Sequence, residues 1–235
     1  CDKLRKELEI CKDLRHRNIV SCLGHEVVNS RLYIYLEYVA GGSLRRQLDE
    51  FGPVEGPLLR KGTRGILKGL NYLHTHSPPV VHRDLKGANV LVDLNFCVKL
   101  ADFGCSKRDV STQSFTATGS VQWVAPEVLQ GNSGHGRKAD IWSLGCVVIE
   151  MATAADPWGK GAFDNFMQAV RVVGFSDRTP PVPEALPLLG QDLVARCVKR
   201  SPNERPWCSE LLEHELVHGS GAESRTTSRA SRREA

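Results

Sequence analysis

The sequence lacks any apolar run of the roughly 18 residues that a membrane-spanning helix requires. Its opening, CDKLRKELEI, is charged and lacks the apolar core of a secretion signal. The net charge of +4 is small for 235 residues, so the charge balance favours neither nucleic acid nor an anionic membrane as a partner. We therefore predict no membrane partner and no nucleic-acid partner. The chain also lacks an initial Met, from which we expect that part of the protein precedes Cys1.

No CxxC pair occurs among the eight cysteines, which argues against a structural zinc site. Cys97, Cys146 and Cys197 instead lie within apolar periodic stretches, where a free cysteine behaves as a small hydrophobic residue. Free thiols are typical of a reducing compartment. The sequence therefore predicts a cytoplasmic protein.

Strand-like runs come early in the sequence and helical periodicities follow. Residues 32–39, LYIYLEYV, are rich in aromatic and branched side chains and predict a strand, after which Ser43 can cap a short helix. Residues 56–76 are amphipathic, and residues 138–153 are apolar on nearly every side, which is typical of a helix in the middle of a core. Further helices are predicted at residues 162–173, 186–199 and 206–217, strands at 90–92 and 97–101, and a long loop at 102–127.

The last 17 residues are rich in Ser and Arg and have no hydrophobic anchor, so residues 219–235 are predicted to be a disordered tail. An alternative is that this tail contacts nucleic acid. Its four arginines have no aromatic side chains among them, which makes that alternative weak.

The residues with the clearest chemistry lie in HRDLKGANVLV, residues 82–92, and in the DFG run that begins at Asp102. Asp84 is a carboxylate that can accept a proton from an attacking hydroxyl group. Lys86 can neutralise charge on a transferred phosphoryl group. Asn89 and Asp102 offer the oxygen ligands that a hard cation such as Mg²⁺ prefers. The two short strands between Asn89 and Asp102 are expected to fold back and bring them together.

Each of these residues alone is equally consistent with an ordinary capped turn or a loop carboxylate. As an ordered set, however, their spacing closely resembles the catalytic loop and DFG motif of protein kinases. The resemblance implies that Asp84 is the catalytic base, that Lys86 assists it, and that Asn89 and Asp102 hold Mg²⁺. It also implies ATP as the phosphoryl donor.

Other segments resemble further parts of the same family. Residues 36–39 resemble the hinge that holds adenine, with Leu36 as gatekeeper, Glu37 and Val39 offering backbone contacts, and Leu91 beneath the base. The opening helix resembles the αC helix, and Glu7 is then the residue that would hold an ATP-binding lysine.

The resemblance implies an α+β, bilobal kinase-like fold with a truncated small β lobe and a mainly helical large lobe. Residues 1–40 would be the remainder of the small lobe and residues 41–218 the large lobe. APE at residues 125–127 resembles the end of the activation segment, and Arg205 resembles the late arginine that pairs with Glu127.

One part of the family pattern is missing. No glycine-rich loop and no strand lysine are found, because only six residues precede Glu7 and Lys3 lies on the same predicted helix. We therefore expect the sequence to be a fragment, with exposed sheet edges and apolar surface. The alternative to an active kinase is an inactive pseudokinase or scaffold that binds partners without turnover, especially for this span alone.

The strings HRDLKGANVLVD, KLADFGCSK and WVAPEV resemble mitogen-activated protein kinase kinase kinases. This resemblance implies a serine/threonine kinase of a signalling cascade. Its substrate would be a protein, specifically a downstream mitogen-activated protein kinase kinase.

Overall fold

The structure, a computed structural model, describes residues 12–29, 31–102, 120–131 and 136–218. Within these ranges strands occur only before residue 101 and helices dominate the rest, as the sequence predicts. The strands are β1 (Cys22–Val28), β2 (Arg31–Leu36), β3 (Val90–Val92) and β4 (Val98–Leu100). The helices are α1 (Leu44–Phe51), α2 (Gly56–Thr75), α3 (Pro126–Leu129), α4 (Arg137–Thr153), α5 (Phe166–Phe175), α6 (Leu188–Cys197), α7 (Cys208–Leu212) and α8 (Glu215–His218).

Strands β1 and β2 form an antiparallel hairpin that runs from the pair Val28–Arg31 at its turn to the pair Cys22–Leu36 at its open end. Several of its large apolar side chains are exposed to solvent, Leu23 by 70% and Val27 by 67%. Exposed apolar side chains of this density are typical of a surface that contacts another element. Exposed apolar surface was expected for the small lobe.

The predicted strand over residues 32–39 is wrong at its C-terminal end, because β2 ends at Leu36. The backbone N–H of Glu37 donates to Ser21 O at 3.0 Å, and the N–H of Gly42 then donates to Val39 O at 3.1 Å, which closes a turn. Ser43 caps α1 as predicted, since its side chain accepts a hydrogen bond from the backbone N–H of Arg46.

Helix α4 is the centre of the core. Fourteen consecutive residues from Ala139 to Ala152 are buried, so the prediction of a helix that is apolar on nearly every side and enclosed by the fold is confirmed. Helix α2 packs against it and buries Ile66, Leu70 and Leu73 completely. Burial of one such side chain contributes about 1.5–3 kcal/mol. These two helices therefore contribute much of the stability of the core that supports the loops.

Three further predicted boundaries are wrong. The helix predicted at 162–173 begins only at Phe166, because the Asn165 side chain caps it by accepting from Gln168 N at 2.9 Å. The helix predicted at 206–217 is two helices, α7 and α8, separated at His214, whose ring accepts the backbone N–H of Leu216 at 3.2 Å. The loop predicted to reach residue 127 already contains a 3₁₀ turn at Ser120–Trp123.

No helix within the described ranges combines the length and the apolar character needed to cross a bilayer. Most of the predicted opening helix, including Glu7, lies outside the described residues, as does the predicted tail at 219–235.

Candidate active site

The hairpin of β3 and β4 connects Asn89 to Asp102. Val90 pairs with Leu100 and Val92 with Val98. The carboxylate of Asp93 holds the turn by accepting the backbone N–H groups of Asn95 at 2.9 Å and Cys97 at 2.7 Å. At the other end, Ala101 N donates to Asn89 O at 2.9 Å. The residue before Asp102 is therefore hydrogen-bonded to Asn89.

Asp84, Lys86 and Asn89 form one hydrogen-bonded group. Lys86 Nζ lies 3.2 and 3.1 Å from the two carboxylate oxygens of Asp84. Asn89 Nδ2 donates to Asp84 Oδ2 at 2.9 Å and to the Asp84 carbonyl at 2.8 Å. The Asp84 and Lys86 side chains are 16% and 15% exposed, so solvent still reaches them. Because the amide nitrogen of Asn89 holds Asp84, its oxygen is the atom suited to a cation.

The backbone under this group is held by Asp140 at the start of α4. Its carboxylate accepts the backbone N–H groups of His82 and Arg83, each at 2.9 Å, and lies 2.7 Å from His74 Nε2. Burial alone would raise the pKa of Asp140, but the hydrogen bond and charge of His74, the charge of His82 and the backbone bond from Arg83 lower it. The fully buried carboxylate of Asp140 thus stays ionised and fixes the backbone of residues 82 and 83.

Two residues of the site have left-handed backbone conformations that only glycine adopts without cost. Arg83 has φ of 69° and Asp102, which is exposed, has φ of 55°. Such conformations in residues with side chains are rare and cluster where the fold constrains a functional loop. The hydrogen bond from Arg83 N to Asp140 provides that constraint at the first position.

Glu150, near the end of α4, joins three segments beneath the site. It accepts the backbone N–H of Gly87 at 2.9 Å and the indole N–H of Trp123 at 3.0 Å, and Arg45 Nη1 lies 3.4 Å away. Burial raises the pKa of Glu150 above its ordinary value, although these donors oppose the shift. Sequence reasoning missed this residue, yet a carboxylate within an otherwise apolar helix is a recognisable signal.

A side chain at position 87 would require the Glu150 carboxylate to shift. A Cβ atom there would lie 2.5 Å from Glu150 Oε1, well inside van der Waals contact. Gly87 lies between Lys86 and Asn89 in the sequence. The close contact of its backbone with Glu150 therefore fixes both side chains relative to helix α4.

The segment after β2 is tied to β4. The Glu37 carboxylate accepts Ser21 N at 2.8 Å and Lys99 Nζ at 2.8 Å. Burial would raise the pKa of Glu37, but the bonds from Lys99 and Ser21 lower it. These contacts fix the Glu37 side chain and hold its backbone in place.

The other residues of the predicted adenine site lie in the segment after β2 and in β3. Val39 is buried and Leu36 is 54% exposed. Leu91 is half-buried and forms an isolated bridge with Ser43, and Val92 N donates to Gly42 O at 2.8 Å. The turn after β2 therefore lies against β3. Glu7, the remaining predicted binding residue, lies outside the described residues.

The predicted pair of Glu127 and Arg205 is confirmed. Arg205 Nη1 and Nη2 lie 2.7 and 2.8 Å from the two Glu127 oxygens, and the arginine side chain has no exposed surface. The pair joins the start of α3 to the turn before α7.

The donor set fits a magnesium ion bound together with phosphate. Mg²⁺ commonly takes one or two protein oxygen ligands and completes its octahedron with water and phosphate oxygens. Asn89 Oδ1 and the exposed carboxylate of Asp102 are oxygen atoms of this kind, on segments that the hydrogen bond between Ala101 and Asn89 brings together. Within the described ranges there is no cluster of three His, Cys, Asp or Glu side chains that could hold an ion by itself.

Comparison with known proteins gives a consistent result. The family model for the protein kinase domain matches residues 1–217. The chain is 42% identical over 229 residues to mitogen-activated protein kinase kinase kinase ANP1 of Arabidopsis thaliana, covering 96% of this chain and 34% of that protein. It is 43% identical over 217 residues to mitogen-activated protein kinase kinase kinase YODA of the same plant, covering 92% of this chain and 24% of that protein.

A relative from a distant organism gives the same result. Mitogen-activated protein kinase kinase kinase A of Dictyostelium discoideum is 41% identical over 214 residues, which are 90% of this chain and 22% of that protein. The chain thus spans about a third or less of the length of these relatives.

Proposed function

The chain belongs to the protein kinase domain family, and from this membership we propose that the protein transfers the γ-phosphoryl group of ATP to serine or threonine side chains of a protein substrate. The described part of the chain has the α+β architecture of a bilobal kinase with a short strand-containing part and a large helical one. The observation that carries the proposal is the hydrogen-bonded group of Asp84, Lys86 and Asn89 beside the residue that precedes Asp102.

In this proposal Asp84 orients the substrate hydroxyl and accepts its proton as the bond from oxygen to the γ-phosphorus forms and the bond to the ADP oxygen breaks. Lys86, 3.1 Å from Asp84, stabilises the negative charge of the transferring group. A bound Mg²⁺ supplies charge neutralisation for the phosphates. Asn89 and Asp102 would hold that ion.

For the nucleotide base we propose the turn after β2. The backbone groups of Glu37 and Val39 would bind adenine, with Leu36 and Leu91 as its apolar contacts and Glu7 holding an ATP-binding lysine. The bonds from Ser21 and Lys99 to Glu37 support this assignment, because they fix the backbone that would make the contacts.

The proposed substrate is a mitogen-activated protein kinase kinase. Support comes from the relatives named above, whose identity to this chain is 41–43% over at least 90% of its length. We further propose that the protein acts in the cytoplasm, because its buried cysteines are free thiols within the described ranges.

The test uses the full-length protein with the substitution Asp102→Ala. Phosphoryl transfer from radiolabelled ATP to a kinase substrate should be abolished, and raising the Mg²⁺ concentration should not restore it. Asp164→Ala, at an exposed carboxylate just before α5, is the matched control and should leave transfer unchanged.

Turnover retained in the Asp102→Ala protein would contradict the metal role. If the wild-type protein binds ATP and partners but transfers no phosphate, the protein is a scaffold and the proposed function is wrong.

A further inference from the structure

A basic groove lies between helix α2 and the β3–β4 hairpin, and none of its cationic side chains belongs to the site described above. Its volume is about 250 Å³. It is lined by five cationic side chains and by Asn18 at its base, over a floor of Gly65, Cys97 and Val98. The cations of the basic groove are Arg17, Arg60, Lys61, Arg64 and Lys68.

Four of these cations share one face of α2. Arg60, Arg64 and Lys68 are spaced four residues apart, and Lys61 lies three residues before Arg64, so their side chains project from the same side of the helix. From Arg60 to Lys68 the stripe is about 12 Å long, at 1.5 Å of rise per residue. Like charges at this spacing repel one another. An anion bound along the stripe would therefore reduce this repulsion.

The cations of the groove lack the carboxylate partners that several other cations in the described ranges have. Arg45, Lys86 and Lys99, for example, each form an ion pair. Among the described residues no ion pair includes any of the five groove cations, and Lys61 Nζ instead donates to the carbonyl of Asn95 at 2.5 Å. The positive charge of the groove is thus uncompensated by the described part of the chain.

Two of these cations, Lys68 and Arg17, affect the pKa of the neighbouring residue His16. His16, which stacks on Tyr72, has a lowered pKa because it is partly buried and because Lys68, Arg17 and Lys99 add positive charge around it.

Two buried polar atoms of residues that line the groove have no partner within the described ranges. One is Arg60 Nε and the other is Asn18 Oδ1. Asn18 is only 3% exposed, and its amide nitrogen is already bound to Val98 O at 2.8 Å, so the amide cannot be flipped to satisfy its oxygen. Leaving buried polar atoms unpaired is costly, and native folds rarely do so without a reason.

The two atoms require different partners. Arg60 Nε needs an acceptor, which a carboxylate or phosphate oxygen provides, and Asn18 Oδ1 needs a donor. An extended peptide presents both, because anionic side chains and backbone N–H groups alternate along it. A stripe of about 12 Å matches about four extended residues at about 3.3 Å each.

From this chemistry we propose that the basic groove binds an extended acidic segment of a partner protein, with Asp, Glu or phosphorylated side chains along α2 and a backbone N–H at Asn18. The proposal is independent of phosphoryl transfer, since none of the groove cations belongs to the candidate active site.

The test measures fluorescence anisotropy of fluorescein-labelled octapeptides with the 235-residue chain. One peptide alternates Asp and Glu, a second replaces two of these with phosphoserine, and a third is the neutral Asn/Gln counterpart. The first two should bind and the third should not. A tighter complex with the second peptide would identify phosphate as the preferred anion, and a tighter complex with the first would identify carboxylate.

Two substitution pairs locate the binding. Arg60→Ala/Arg64→Ala should raise the Kd at least tenfold, and Arg64→Ala/Lys68→Ala, which spares the half-buried Arg60, should do so too. Arg171→Ala/Arg178→Ala removes the same charge from exposed positions elsewhere and should leave the Kd unchanged. Equal weakening by all three pairs, equal affinity for the neutral peptide, or no binding of the acidic peptides would overturn the proposal.

Discussion

Arg205 is the residue whose replacement tests the packing of the large lobe most sharply. All five N–H groups of its guanidinium are used. Nε donates to Lys199 O at 2.7 Å, Nη1 to Glu127 Oε1 and Lys138 O at 2.7 and 2.8 Å, and Nη2 to Glu127 Oε2 and Arg200 O at 2.8 and 3.1 Å. No other side chain carries five donors in one plane, so no substitution can reproduce this set.

Arg205→Met should lower the free energy of unfolding by about 3–5 kcal/mol, the cost of removing one partner of a buried ion pair. The loss arises because Glu127, whose side chain is 13% exposed, keeps a charge without its partner. Arg205→Lys keeps the charge and up to three donors, so we expect a smaller loss of about 1–3 kcal/mol from the unpaired carbonyls.

Urea denaturation followed by tryptophan fluorescence measures both values. The matched control is Arg196→Met, which removes a pair with Asp192 whose side chains are 56% and 46% exposed, and its cost should be about 0–1 kcal/mol. If Arg205→Met costs no more than Arg196→Met, the reasoning about the buried network is refuted.

Two further predictions concern the base of the active site. Asp140→Asn should lose stability relative to wild type at neutral pH, and the difference should shrink as the pH falls below about 4, because a lowered pKa stabilises the fold only above the pKa of the unfolded carboxyl. Urea titrations across pH test this, and a difference that grows as the pH falls below about 4 would contradict it. Gly87→Ala should lower kcat about 100-fold, since its Cβ would meet Glu150 Oε1 at 2.5 Å and displace Lys86 and Asn89. Unchanged steady-state transfer by the full-length variant would show that the close contact is not needed.

Local sequence signals were sufficient for the elements whose determinants lie within them. The Ser43 cap of α1, the extent of α2 and the enclosure of α4 all follow from capping chemistry and apolar periodicity. The two short apolar runs between Asn89 and Asp102 likewise predicted the hairpin of β3 and β4 that brings these two residues together.

The features that sequence reasoning missed depend on distant partners. Helices α7 and α8 are separate because the ring of His214 binds Asp192 Oδ2 at 2.8 Å and accepts a backbone N–H, and no local pattern reveals Asp192 as its neighbour. The end of β2 at Leu36 is set by Ser21. The role of Glu150 depends on Gly87 and Trp123, which are far from it in sequence.

The candidate site divides in the same way. Residue types and order were sufficient to select Asp84, Lys86 and Asn89, because the functional group of each side chain determines the chemistry that it can perform. The run that begins at Asp140 resembles the central buried helix of the family, whose aspartate supports the catalytic loop, and the structure adds the hydrogen bonds by which Asp140 holds the 82–83 peptide groups.

The most direct test of the account is the rate of phosphoryl transfer by the full-length protein with Asp84→Asn, measured at saturating ATP and Mg²⁺. The substitution is nearly isosteric and keeps one side-chain oxygen that can accept from Lys86 and Asn89, while the ability to accept a proton is lost. We predict a fall in kcat of about 10²–10⁴-fold, with the Kd for ATP unchanged. A kcat indistinguishable from that of the wild-type protein would contradict the central claim that Asp84 is the residue on which the chemistry depends.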